Sequence, residues 1–440
     1  MLDERTKEYA DKLSMLIQAE TISVENQTDK SKFYRFQDLL KKLFPHIFSV
    51  CEFEDFDGSF LMRWKGAGEG EPIMLMNHQD VVEASGAWRF PPFSGTITEG
   101  KVWGRGALDT KGGLCTMLQA ADELAKDGYI PKRDVYFLST CMEECDGSGA
   151  ATISQALFDR GVRFEFVLDE GGMIVDEPIP GVKGSYAMIG VGEKGCADLK
   201  FIARSEGGHA SMPGKDTPLV RLGKFMAAVE KQNLFKTELS PTIREMFKRL
   251  SKKMKRGFLR FVFCHNRLFS PLLTRVMPKV SSAGNAMLKT TLAFTMAGAS
   301  EGANVLPQEA WVVANMRYSH HQGGKSSIRE VKKLAKKFDI ETVVLDPGNE
   351  SPLSSYNSEA FKKVEGAVKE VFPAATTTPY IMVAASDCRY MHTLSKNCLR
   401  FTPLVIDGEQ LESIHGIDEN VDLATLAPAV DFYRRIIKEV

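Results

Sequence analysis

Two residues apart at the end of a short apolar run, His78 and Asp80 could serve one divalent metal together, or Asp80 could fix the tautomer of a ligating imidazole. An extended chain points residues i and i+2 to the same face, so both side chains would meet the same partner. Three further stretches carry carboxylates. Asp109 lies in Gly104-Arg105-Gly106-Ala107-Leu108-Asp109-Thr110-Lys111-Gly112-Gly113, where it reads either as a helix N-cap or as a ligand. Glu143-Glu144 follows an apolar run and Asp169-Glu170-Gly171-Gly172 closes another; singly, such pairs read as solvated strand ends. Brought together they would crowd negative charge around His78, and unpaired buried carboxylates repel one another and are costly to desolvate. Two divalent cations answer both problems. With His415 from a long loop, the set His78, Asp109, Glu144, Asp169 and His415 offers only N and O donors. That set suits zinc, with manganese or cobalt as substitutes. Glu143 stays outside it, available as a general base toward a water whose pKa the metals lower.

The elements that must position these residues alternate between apolar runs and amphipathic stretches, which predicts an α/β fold. A strand over 73–76 ends in Asn77-His78-Gln79-Asp80, one over 134–140 runs into Met142-Glu143-Glu144, and one over 164–168 ends at Asp169. Ligands gather at the carboxyl ends of strands in open parallel sheets, so the three endings are expected to converge. The glycine-rich run precedes a helix over 114–126. Near Gly192 the pattern changes, and strands and helices from Ala197 to Leu345 give a βαββαβ set, the pattern of a ferredoxin-like sandwich. Residues 239–280 are basic and helical and read as an elaboration of that unit. The α/β pattern then resumes, with a strand over 399–405 and a helix from Leu423. The expected organisation is a catalytic domain in two parts, 1–193 and 347–440, with residues 194–346 inserted between them.

Composition bounds the partners. The 440 residues are 43% apolar and 26% charged, and 56 Lys and Arg stand against 57 Asp and Glu. No net field favours a nucleic acid or an anionic membrane, so a small-molecule substrate is the expectation. The eight cysteines form no C-x-x-C pair, which fits reduced thiols. The charged start, Met1-Leu2-Asp3-Glu4-Arg5-Thr6-Lys7, heads an amphipathic helix without an apolar h-region, and no apolar run reaches spanning length; a cytoplasmic protein is expected. The stretch from Lys248 to Arg260 reads as a solvated helix face in preference to a membrane contact.

Taken together, His78-Gln79-Asp80-Val81-Val82, Trp103 to Gly113, Glu143-Glu144, Asp169-Glu170-Gly171-Gly172, Gly207-Gly208-His209-Ala210-Ser211 and His415-Gly416-Ile417-Asp418-Glu419 resemble the M20 family of metallopeptidases. Within it, the resemblance is to the branch containing carboxypeptidase S and the N-fatty-acyl-amino-acid hydrolases, over nearly the whole chain. It implies a mostly parallel-sheet zinc-peptidase domain in which His78 and Asp169 hold one metal, Glu144 and His415 the other, and Asp109 bridges them, with Glu170 a rival to Asp169. Asp80 would orient His78, Glu143 would be the acid/base, and the Asp109–Thr110 peptide would be cis. The inserted unit would be a lid and dimerisation domain whose His209 helps polarise the scissile carbonyl, often from the partner subunit of a homodimer. Asn304 and Arg317 match lid positions that bind substrate, and an arginine fork suits a terminal carboxylate. The loop Ala384-Ala385-Ser386-Asp387-Cys388-Arg389 departs from the family's glycine-richer form, which leaves Ser386 and Arg389 without an assigned role.

The implied reaction is cleavage of a peptide or amide bond next to a free carboxylate. An aminoacylase acting on N-acyl amino acids is the alternative. A non-catalytic binding protein would have lost a ligand or the base, and neither is lost here. A two-metal phosphatase or nuclease would want further basic phosphate ligands, and the glycine-rich run is not a P-loop.

Overall fold

The computed structural model describes residues 3–68, 70–179, 182–254, 257–348 and 350–439. A ten-stranded sheet forms its largest layer among these residues. At its centre the strands Val135–Ser139, Ile73–Met76, Phe166–Asp169 and Cys398–Arg400 lie side by side and parallel. Their near-continuous apolar sequences follow from burial on both faces. Ile73, Leu75, Val135, Phe137, Phe166 and Leu168 point into the core beneath the helices Glu4–Gln18, Lys111–Lys126, Glu359–Val371 and Leu423–Lys438. The alternate residues Met74, Met76, Tyr136, Leu138 and Val167 pack on the other side with the helix Ser148–Asp159. Period-two side chains thus fill two cores from one run, as buried parallel strands require.

The register sets Met76 opposite Leu138 and Leu75 opposite Leu168. The expected convergence of strand ends is therefore present, and the residues after Met76, Ser139 and Leu168 emerge along one edge. The helix that follows the glycine-rich run starts at Lys111, three residues earlier than the apolar periodicity suggested. Its close approach explains the glycines there: a Cβ on Gly113 would lie 2.3 Å from Asn77 Oδ1, and one on Gly112 2.3 Å from Ala107 O.

A second, four-stranded antiparallel sheet runs Thr291–Gly298, Glu309–Tyr318, Gly195–Arg204, Glu341–Asp346, with the helices Pro218–Lys231 and Gly324–Lys336 packed on it. This is the βαββαβ set with its first and third strands adjacent, the ferredoxin-like order. The chain enters it after Glu193 and leaves after Asp346.

Two expectations change. The helical stretch spans Pro241–Leu250, Phe258–Cys264, Ser270–Val280 and Ser282–Leu288, and it packs on the large sheet. Ile243, Met246, Phe247 and Leu250 form one apolar face that covers Tyr186 and Tyr380 on the strands Ser185–Glu193 and Thr376–Met382. The strand expected over 399–405 is two strands, Cys398–Arg400 and Val405–Ile406, pairing with different partners on either side of Pro403, which has no N–H to give a ladder.

Where the chain crosses between the sheets, Arg400 is fully buried and donates through Nε to Glu193 Oε2 at 2.9 Å. The same oxygen accepts from the backbone N–H (3.1 Å) and hydroxyl (2.9 Å) of Ser386. Removing one charge of a buried pair leaves the other unpaired, so Glu193→Gln should cost about 3–5 kcal/mol of unfolding free energy. Denaturant titration checks this, and an unchanged midpoint would show the pair to be dispensable.

Candidate metal centre

Asp109 does not cap the helix behind it: Thr110 occupies that place, and the carboxylate turns to two imidazoles. His78 Nε2 lies 3.0 Å from Asp109 Oδ1, and His415 Nε2 lies 3.0 Å from Asp109 Oδ2 and 3.1 Å from Glu144 Oε2. His78, Asp109 and Glu144 each offer a ligand atom within 4.8 Å of the others. The Asp109–Thr110 peptide is cis, as the resemblance implies.

The supports of these groups are specific. His78 Nδ1 lies 2.9 Å from the Asp80 carbonyl oxygen. A carbonyl only accepts, so Nδ1 carries a proton, and Nε2 is the nitrogen turned to Asp109 and the one a cation would engage. The fully buried Asp80 carboxylate accepts the backbone N–H groups of Glu143 (3.3 Å) and Glu144 (3.1 Å) and the Ser23 hydroxyl (2.7 Å). One aspartate therefore fixes both the imidazole and the paired acids. Asp169, also buried, accepts from the Cys388 N–H at 2.8 Å. Glu419 holds the glycine-rich loop: its Oε1 accepts from Leu108 N (2.8 Å) and Asp109 N (3.1 Å), and its Oε2 from Gly106 N (3.1 Å) and Arg105 Nη1 (2.7 Å).

Electrostatics mark the cluster as a cation site. Burial, with the charges of Asp387, Glu170 and Glu144 adding to it, pushes Glu143 well above the usual carboxylate range against the pull of His78. Burial likewise raises Glu144, Asp169, Glu170 and Asp387. Burial opposes charge on His78, yet Asp109 and Asp80 lift its pKa well above the ordinary value. Hydrogen bonds to Asp109 and Glu144 raise His415 to about 10. Buried oxygens of Glu144 (Oε1) and Asp387 (Oδ1) have no hydrogen-bond partner among the described residues. Such a set, N and O donors with uncompensated acceptors, fits divalent cations.

The other three sequence-derived residues stand apart from this cluster, on the small sheet's unit. His209 pairs with Val305 in a short antiparallel ladder, and Ala210 N donates to Asn304 O at 2.9 Å, so His209 and Asn304 are neighbours. Arg317 lies on Glu309–Tyr318 opposite Cys196, with Nε donating to Asn315 Oδ1 at 3.0 Å. Ser386 is buried against Glu193 and Arg400, and the Arg389 guanidinium lies over the Tyr390 ring.

Residues 74–439 match peptidase family M20/M25/M40. The chain belongs to this family. Probable carboxypeptidase S-like 2 of Dictyostelium discoideum is 32% identical over 449 residues, covering 98% of this chain and 85% of that protein. An N-fatty-acyl-amino acid synthase/hydrolase of Xenopus tropicalis is 30% identical across 100% of this chain and 87% of its own length. An M20 family metallo-carboxypeptidase from Sulfolobus solfataricus has the same fold, with a TM-score of 0.73 at 16% identity over 99% of both chains. As an M20 member the chain is a metal-dependent hydrolase.

Two members of the cluster had no role in the sequence reading. Asp387, which accepts from the Thr140 hydroxyl at 2.5 Å and whose charge acts on Asp169 and Glu143, follows a strand in a polar triplet, a weak signal. Glu419 was visible only as part of the run after His415. Its contacts give a direct test, because an amide at this position offers an N–H₂ where two donors already point. Glu419→Gln should lower unfolding free energy by about 2–4 kcal/mol and cut turnover with it. Chemical denaturation and steady-state kinetics on one preparation read both; wild-type values in each would remove Glu419 from the site's support.

Proposed function

We propose that the chain is a two-metal amidohydrolase that cleaves a peptide bond next to a substrate's free carboxylate, releasing the C-terminal residue of a small peptide. The observation that carries this reading is Asp109, whose two oxygens each meet an imidazole at 3.0 Å, one from residue 78 and one from residue 415. A carboxylate so addressed is suited to bridge two cations, with His78 and Asp169 on one side and Glu144 and His415 on the other. Bound there, divalent metals, zinc or else manganese or cobalt, would polarise the scissile carbonyl and acidify the attacking water.

The chain's own residues supply the rest. Glu143 stays outside the ligand set, with its proton affinity raised by burial and by neighbouring carboxylates; in this reading it takes the proton of the attacking water and returns it to the leaving nitrogen. His209 is exposed, and Ser211 donates to its Nδ1 from both backbone N–H (3.1 Å) and hydroxyl (2.7 Å). The neutral ring then carries its proton on Nε2, free to donate to a carbonyl oxygen. We assign Arg317 to the substrate carboxylate and Asn304 to substrate binding, with the small sheet's unit acting as a lid and His209 serving the neighbouring subunit of a homodimer.

The relatives' names share one chemistry, an amide bond to an amino acid, and they divide on what lies beyond the nitrogen. Similarity over the whole chain to an N-fatty-acyl-amino acid synthase/hydrolase favours N-acyl amino acids as the second reading. Metal analysis, expected at about two ions per chain, with a screen of dipeptides against N-acyl amino acids, separates the readings; full activity after exhaustive chelation would overturn both.

Two outcomes follow for single groups. Amidating the substrate carboxylate should lower kcat/KM by roughly tenfold or more in the wild type, as expected for loss of a desolvated charge-assisted pair, and by little in Arg317→Ala. Equal cleavage of free and amidated substrates by wild type would end the clamp assignment. Glu143→Gln should keep its metals and lose roughly two to four orders of magnitude in turnover. Mixed with His209→Ala chains, once tagged chains show subunit exchange, it should regain part of that activity. Exchanged heterodimers that stay inactive would place His209 in its own subunit's chemistry or outside it.

A further inference from the structure

Residues 241–288 hold eleven lysines and arginines and one acidic residue, Glu245, in a chain of net charge −1. Glu245 is already engaged by Lys248 at 3.6 Å and Arg249 at 2.9 Å, and among the described residues no other cation of the segment pairs with an acid inside it. One apolar face of these helices packs on the large sheet. The sequence alone suggested that the opposite face is simply solvated. It is not simply polar: Phe258 is 69% exposed, Leu268 74% and Val280 73%. The rings of Phe258, Phe261 and Phe269 cluster with centroids 5.6–6.3 Å apart, and His265 lies 4.4 Å from Phe261. On Ser270–Val280 the exposed Leu272, Arg275, Val276 and Lys279 fall at i, i+3, i+4 and i+7, one stripe of alternating apolar and basic character.

Beside the aromatic cluster a cavity of about 570 Å³ is lined by Arg244, Lys248, His265, Arg267 and Leu268, and also by Glu245, whose carboxylate Lys248 and Arg249 engage. Arg244 Nε is buried there without a hydrogen-bond partner among the described residues. The arrangement sets cationic groups beside bare aromatic and aliphatic side chains. A second copy of the chain fits poorly, because a two-fold interface would press this basic face against itself.

We infer that this face docks on an anionic phospholipid bilayer. Phosphate groups meet Arg244, Lys248 and Arg267, while Phe258, Phe261, Leu268 and Val280 enter the headgroup region, as amphipathic basic surfaces do. Among the described residues no helix is long and apolar enough to cross a membrane, so the contact is peripheral.

The test is co-sedimentation of the full chain with phosphatidylcholine vesicles and with vesicles in which about a third of the lipid is phosphatidylserine. Binding is expected only to the second, and high salt should weaken it. The triple variant Arg267→Glu, Arg275→Glu, Lys279→Glu should bind on the order of 100-fold more weakly, and Phe258→Ser with Leu268→Ser should also release the protein. These positions are exposed, and hydrolysis of a soluble substrate should be unchanged in both variants. Equal partitioning to the two vesicle types, or wild-type protein left in the supernatant, would overturn the proposal. So would a concentration-dependent dimer in lipid-free solution that the same variants abolish, since the face would then belong to a second copy.

Discussion

Six carboxylates, Asp109, Glu143, Glu144, Asp169, Glu170 and Asp387, act on one another in a buried to half-buried cluster, and two imidazoles cannot balance them. At the low effective dielectric of a protein interior, like charges at such separations are held together only when cations or protons intervene. Burial drives most of these acids toward protonation, while Asp109, set between His78 and His415, is held below the usual carboxylate range despite its burial. The imbalance explains why the fold spends so many backbone donors here. Asp80, Asp169 and Glu419 each accept main-chain N–H groups, and such bonds position acidic groups without adding mobile side chains.

The supports also explain how residues 78, 109, 144, 169 and 415 come to one place. Three come from neighbouring parallel strands: Asp169 ends one, His78 follows another by two residues, and Glu144 lies in the turn after the third, held by Asp80. Asp109 comes from a loop, and the loop is fixed from the far end of the chain by Glu419, four residues beyond His415. His415 itself sits in the left-handed region at φ 59°, a conformation that persists in a non-glycine residue only when its surroundings hold it. The Arg105–Glu419 pair, both side chains at most 2% exposed, and the Arg105 bond to Gly416 O at 2.7 Å provide that hold.

Much of this was legible in the sequence because buried parallel strands announce themselves. Ile73 to Met76, Val135 to Leu138 and Phe166 to Leu168 are apolar throughout, and acidic or imidazole residues follow each within a few positions. What was not legible depended on partners distant in sequence. Asp387 acquires its meaning only beside Asp169, and Arg400 only beside Glu193. The helical stretch over 239–280 reads from sequence as an outgrowth of the unit it interrupts, because nothing local shows that Ile243 and Phe247 face Tyr186.

The same distant pairings tie the two sheets to the metal centre. Glu193 is the last residue of its strand before the chain crosses to Gly195, and Lys194 Nζ donates to Ala286 O at 3.0 Å and Lys289 O at 2.9 Å, securing the crossing to the helical segment. Glu193 also binds Ser386, two residues from Cys388, whose N–H holds Asp169. A rotation of the small sheet about this crossing would therefore pull on the loop that positions a proposed metal ligand. An apolar hinge would let that loop repack in several ways, whereas the Arg400–Glu193–Ser386 network is satisfied in one geometry. Charge at the crossing costs desolvation, and what it provides is one defined geometry for the chain where it passes from the large sheet into the small one.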